Sequence, residues 1–186
     1  MSRFNQIKYP KDNPELEALY QDAMEIGFIG REGDTPNNWV TSQSERRDFL
    51  KVSLGFAKTV QLEGLIPPTV KQMILMTLAM QENCRYCEVG HTKVLEAMGI
   101  PTEVIRNCAS DPELSAVPPS QRAILKFALK AARDRKSLTD EDFQTLRDYG
   151  FSDPEIMEVI MVLVCSELLN IWADVSGIAV DGEEDL

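Results

Sequence analysis

The chain has 186 residues, enough for one domain with a well-buried core, and a formal net charge of −11. That charge argues against nucleic acid and anionic membranes as partners, because both favour basic surfaces. A composition 44% hydrophobic and 26% charged is that of an ordinary soluble globular protein.

The opening residues, MSRFNQIKYPKDNPELE, contain no apolar signal core. The longest apolar run, Val159 to Cys165, is bracketed by Glu158 and Glu167 and is too short to span a bilayer. Four cysteines without a secretory signal do not read as a disulfide scaffold. The expectation is a cytoplasmic protein with no membrane partner. In that compartment a Cys-x-x-Cys is catalytic or metal-binding rather than a staple.

In chain order, Asn13 caps a first helix with Pro14 at its first position, running to Gly27. Residues 30–38 read as a polar loop. Ser42 and Glu45 have capping-box spacing, and Phe49, Val52, Phe56 and Val60 follow at helical intervals. Pro67-Pro68 opens a helix through Met80 that is apolar nearly all round and therefore central. Asn83 is the expected N-cap of the next helix, which ends at Gly99-Ile100-Pro101. A short helix from Thr102 to about Ala109 and a connector from Asp111 to Pro119 follow. The stretch from Ser120 to Lys136 is amphipathic, with Ile124, Phe127, Ala128 and Ala131 on one side. Thr139 and Asp142 cap a helix that stops at Gly150. Asp153-Pro154 starts a long helix to near Gly177, with Ile156, Val159, Ile160, Leu163 and Val164 as core candidates.

No segment alternates with period two. The expected fold is all-α, a single-domain helical bundle of roughly eight helices. Residues 1–40 read as an N-terminal extension, 41–178 as the core and 179–186 as a frayed acidic tail. Pro67-Pro68-Thr69 is echoed by Pro118-Pro119-Ser120, and an apolar helix follows each; two unrelated proline starts would look the same.

The most informative stretch is Asn83-Cys84-Arg85-Tyr86-Cys87, followed by the chain's one histidine, His91. Cys84, Cys87, His91, Val94 and Met98 recur every three or four residues, which puts them on one helix face. The thiols lie in the first turns, where the helix dipole favours thiolate; cysteines so placed in such pairs can titrate at about 3.5–7.5. Cys87 is one turn before His91 and is the better candidate for base-assisted chemistry. Cys84, at the helix start, is expected nearer solvent and able to meet an external thiol. Structural zinc is an alternative, but it normally takes four ligands, and the pair and His91 supply three. Covalent haem needs histidine directly after the second cysteine, where Glu88 stands. Two buried cysteines and a core histidine by chance is the third alternative. Cys165, Met73, Met76 and Met80 read as packing, and Cys108 has no assigned role.

At these residues the chain resembles the alkylhydroperoxidase D-like (AhpD-like) family, also called the carboxymuconolactone decarboxylase superfamily, and within it the peroxidase-related branch. The likeness extends upstream through Leu65-Ile66-Pro67-Pro68. Downstream it takes in Met98-Gly99-Ile100, Arg122-Ala123-Ile124-Leu125, Leu138-Thr139, Gly150-Phe151-Ser152-Asp153 and Asn170 through Gly177. The resemblance implies an all-α homo-oligomer (trimer, hexamer or dimer) with no cofactor or bound metal. It implies a redox disulfide between Cys84 and Cys87, with Cys87 attacking a hydroperoxide, Cys84 resolving it and His91 relaying protons. The implied reductant is an external dithiol, lipoyl-type or thioredoxin-like. The family's usual glutamate, twelve residues before the first cysteine, is Gln72 here, and an amide cannot take up or release a proton in this range. Glu63, Glu82 and Glu167 are candidate substitutes. The expected activity is a thiol-dependent antioxidant oxidoreductase, an alkyl hydroperoxide or disulfide reductase. A carboxymuconolactone decarboxylase-type lyase and a non-catalytic helical oligomerisation module are the alternatives.

Overall fold

A computed structural model describes residues 2–110, 113 and 116–183. Among them are nine α-helices and one 3-10 turn: α1 (Pro14–Glu25), α2 (Asn38–Thr41), α3 (Arg47–Leu62), α4 (Pro68–Gln81), α5 (Arg85–Ala97), α6 (Thr102–Ser110), α7 (Pro119–Arg133), the turn Arg135–Ser137, α8 (Asp140–Asp148) and α9 (Asp153–Ser176). The chain is all-α; its β-pairing among the described residues is an isolated bridge between Ile29 and Pro36. Parts of the connector from Asp111 to Pro119 and the last three tail residues lie outside the described residues.

The helix punctuation follows local chemistry. The Asn13 side chain accepts from Leu16 N, and Thr139 with Asp142 forms a capping box. Gly99 and Gly150 take left-handed φ values of 79° and 92° just past α5 and α8. There the amides of Ile100 and Phe151 reach back to Leu95 and Leu146, closing Schellman turns. Pro67 and Pro118 stand at the N-caps of α4 and α7, and in both helices the following proline occupies the first turn.

Two expectations need correcting. Ser42 does not start a helix: it closes α2, its hydroxyl donates to the Trp39 carbonyl and accepts from Trp172 Nε1, and α3 begins at Arg47. The inward faces of two helices are also rotated from the predicted ones. In α3 the buried apolar residues are Leu50, Leu54, Ala57 and Val60, while Phe49 and Val52 are exposed. In α9 Ile156, Val159, Val162, Cys165 and Leu169 are buried, while Ile160 and Val164 are exposed. Both helices carry more apolar residues than one face holds, so apolarity alone does not select the stripe. Helix α9 has 24 residues and is long and apolar enough to cross a membrane by length and composition; 44% of its most apolar window is buried.

The backbone clusters into two compact units. One contains residues up to Thr59 and from Ile171 onward; the other is Val60–Asn170. In the first, Leu16, Leu19, Tyr20 and Ala23 of α1 are buried, and Phe4 stacks on Trp172 at 5.9 Å. The start of the expected frayed tail is docked in this unit. Asp181 accepts from the Asn38 amide at 2.8 Å, the Asn38 side chain donates to the Ala179 carbonyl, and Val180 is buried. Asn38 thus recruits as a partner the segment expected to fray.

In the second unit α4 is buried from Val70 to Ala79. Full burial makes partners for its charged and amide side chains costly to do without. Lys71, with 0% side-chain exposure, donates to the Glu63 carbonyl and pairs with Glu158 of α9. Glu158 also accepts from the Leu65 and Ile66 amides at 2.7 and 3.2 Å. Burial alone would raise the Glu158 carboxyl, but Lys71 and the two amides outweigh it and hold it below the ordinary glutamate range. Gly64 is at φ 108°, and a Cβ there would come within 2.4 Å of the Glu158 carboxylate. The turn between α3 and α4 is therefore built around that carboxylate. Glu158→Ala should destabilise the protein by about 3 kcal/mol in urea unfolding, because it strands a buried ammonium. The double variant Lys71→Met/Glu158→Leu should recover most of that loss.

Candidate active site

The site begins where α4 ends. Asn83 adopts a left-handed φ of 60°. Its amide donates to the Met80 carbonyl and the next amide, Cys84 N, reaches back to Ala79 at 2.8 Å. This is a Schellman turn with asparagine in the position glycine usually fills. Asn83 was expected to cap α5, but it terminates α4 instead, and Cys84 is the N-cap of α5. One residue thus ends one helix next to the cysteine that starts the other.

That turn buries both thiols. Cys84 is 0% exposed and Cys87 4%, so the sulfur expected nearer solvent is the more enclosed one. Cys84 Sγ lies 4.0 Å from the Asn170 carbonyl of α9. The Asn170 side chain donates to Glu82 at 2.8 Å and to Ser166 at 3.3 Å. Both cysteines are free thiols. His91 is buried on the same helix, one turn beyond Cys87. The inward face then continues through Leu95 rather than to Met98, which is exposed.

Gln72 reaches His91 from α4. Its Oε1 is 2.8 Å from His91 Nδ1, and its Nε2 donates to Gln61 Oε1 at 2.9 Å. A carbonyl oxygen only accepts, so Nδ1 carries the ring proton and Nε2 keeps the lone pair. Burial pushes the His91 pKa down to about 4, so the ring is neutral at physiological pH. Burial also pushes the Cys108 and Cys165 thiols up, to about 11 and about 12, which suits packing roles.

Among the glutamates considered as proton acceptors, Glu63 is exposed and Glu167 faces Arg135 at 3.8 Å. Glu82 is linked to the Cys84 thiol through Asn170. Gln61 and Ser166 went unnoticed in the sequence. The available signal for Gln61 was an amide continuing the apolar face of an amphipathic helix. Among the described residues no cluster of three or more His, Cys, Asp or Glu is arranged to hold a metal ion. A groove of about 380 Å³ lies between α7 and α8, lined by Arg122, Lys126, Phe127, Lys130, Asp142 and Tyr149, apart from the cysteines.

No protein-family model and no curated relative matches the sequence. Solved structures do match the fold. An uncharacterized peroxidase-related protein from Silicibacter sp. TM1040 superposes with a TM-score of 0.85 at 17% identity, covering 98% of this chain and 93% of that one. The alkylhydroperoxidase AhpD core of a peroxidase-related protein from Ralstonia eutropha JMP134 gives 0.79 at 24% identity, over 95% and 93% of the two chains. The debrominase Bmp8, in complex with 2,3,4-tribromopyrrole, gives 0.78 at 18% identity, over 98% and 95%. The fold of this chain is thus the AhpD-like fold of peroxidase-related proteins.

Two predictions follow from the geometry. Asn83→Gly should fold at least as stably as wild type, whereas Asn83→Val should lose about 1–2 kcal/mol in thermal or urea unfolding, since a β-branched residue is strained at positive φ. The second concerns acid. The folded His91 titrates at about 4 and a free histidine at 6.5, so the unfolded chain binds the proton first. Stability contributed by the neutral ring is complete above pH 6.5 and should fall by about 3 kcal/mol as pH drops to 4. The difference between wild type and His91→Phe, measured by urea unfolding across that window, should show this slope.

Proposed function

We propose that the protein is a thiol-dependent oxidoreductase that reduces hydroperoxides or disulfides with the Cys84/Cys87 pair. The observation that supports this reading is that Cys84 at the N-cap of α5 and Cys87 and His91 on the helix are all buried, with the His91 Nδ1 engaged by Gln72. With Nδ1 occupied, acid–base work falls to Nε2.

In the first step Nε2 takes the Cys87 proton and the thiolate attacks the terminal peroxide oxygen. The O–O bond breaks, Cys87 becomes a sulfenic acid, and the proton passes to the leaving alkoxide. The Cys84 thiol then condenses with the sulfenic acid, forming the disulfide and releasing water. An external dithiol, lipoyl-type or thioredoxin-like, restores both thiols through a mixed disulfide. Cys87 is slightly exposed and Cys84 fully enclosed, which favours Cys87 as the sulfur that meets both peroxide and reductant. Gln72 orients the ring but cannot resupply protons, so turnover is slower than a carboxylate at that position would permit. A homo-oligomeric state and a cytoplasmic location belong to the same proposal.

The test is a thiol titration before and after one equivalent of an organic hydroperoxide. Wild type should lose two thiols together. Cys84→Ser should accumulate a trappable sulfenic acid, and Cys87→Ser should consume no peroxide. Full peroxide turnover by Cys87→Ser would defeat the assignment. Bmp8 is a debrominase on the same fold, so bromide release from brominated pyrroles is the parallel assay. An activity that survives thiol alkylation would favour the lyase alternative, and one absent from every assay the non-catalytic module.

A further inference from the structure

We infer that Gln61 is a positioning residue that selects the tautomer of His91 by fixing which way round the Gln72 amide is held. Gln72 has two unlike ends, and each is committed. Its Nε2 donates to Gln61 Oε1 at 2.9 Å, which leaves Oε1 turned to the ring, 2.8 Å from Nδ1. Reversing Gln72 alone would set its carbonyl oxygen against the Gln61 oxygen. Two acceptors would then face each other in a buried site, at the cost of an unsatisfied polar group. The polarity of the second amide therefore descends from the first, and the ring proton from the second.

The setting makes this control effective. Gln61, Gln72 and His91 are all buried, so water cannot substitute for a missing partner. Gln61 sits on α3, Gln72 on α4 and His91 on α5, so three helices are joined through two hydrogen bonds. At the far end the Gln61 side chain interacts with the buried Cys165 thiol, and Gln61 Nε2 has no hydrogen-bond partner. Gln61 contacts neither reacting thiol on this account; it acts through Gln72 and the ring. The kinetic part of this inference rests on the dithiol reading above, while the tautomer itself does not.

The chain has one histidine, so a nitrogen-15 correlation spectrum of the labelled protein at pH 7 reads the ring directly. Wild type should show the Nδ1–H tautomer. Gln61→Met, of similar volume but without donor or acceptor, should admit the Nε2–H form and slow sulfenic acid formation about two- to tenfold. Gln61→Glu can only accept at this end, so Gln72 Nε2 still donates and the ring should remain Nδ1–H. An Nε2–H ring in wild type would overturn the inference, as would a Gln61→Met ring identical to wild type or a Gln61→Glu ring that changes form. Should Gln61→Met fail to fold, the other two spectra still decide. Since the spectra need no substrate, an inactive protein with the expected tautomers would count against the peroxidase reading alone.

Discussion

Burying a helix on every side puts its polar side chains in need of partners inside the protein, and on α4 Lys71 and Gln72 find theirs in neighbouring elements. Only a few of its buried side chains are polar, and two of them organise the unit. Lys71 gathers the Glu158 carboxylate and, through it, the turn that leads into the helix. Gln72, the next residue, engages Gln61 and His91. One anchors the backbone and the other orients the imidazole. Moving α4 to the surface would release both to water and leave neither the turn nor the imidazole defined.

The electrostatics of the site follow from the same dryness. A ring that titrates near 4 does not hold a proton at neutral pH, so in the proposed reaction it can only pass one on. A carboxylate in place of Gln72 would stabilise the imidazolium and supply protons, at the price of burying a charge. The amide avoids that cost and holds the ring equally still. In the proposed reaction the amide would therefore orient the ring without supplying protons.

Much of the architecture was legible in the sequence because local chemistry specifies it. Asn13, the Thr139–Asp142 pair, the proline starts of α4 and α7 and the glycines after α5 and α8 each act within a few residues of themselves. The spacing of Cys84, Cys87 and His91 likewise needs nothing beyond one helix. What escaped is what depends on distant partners. Asn83 resembles a helix start as much as a helix end, and only the amide bonds back to Ala79 and Met80 decide between them. The rotation of α3 and α9 depends on which neighbour each apolar residue meets. Gln61 is eleven residues from Gln72 and on another helix, so no short-range pattern pairs the two amides. The enclosure of Cys84 comes from Asn170, far along the chain.

The single imidazole has a last consequence. Histidine is the side chain whose ordinary titration falls between pH 5 and 8, and here its one representative has been moved below that interval. Across the neutral range no imidazole in this chain changes charge. A bend in a rate profile between those limits would therefore not come from histidine.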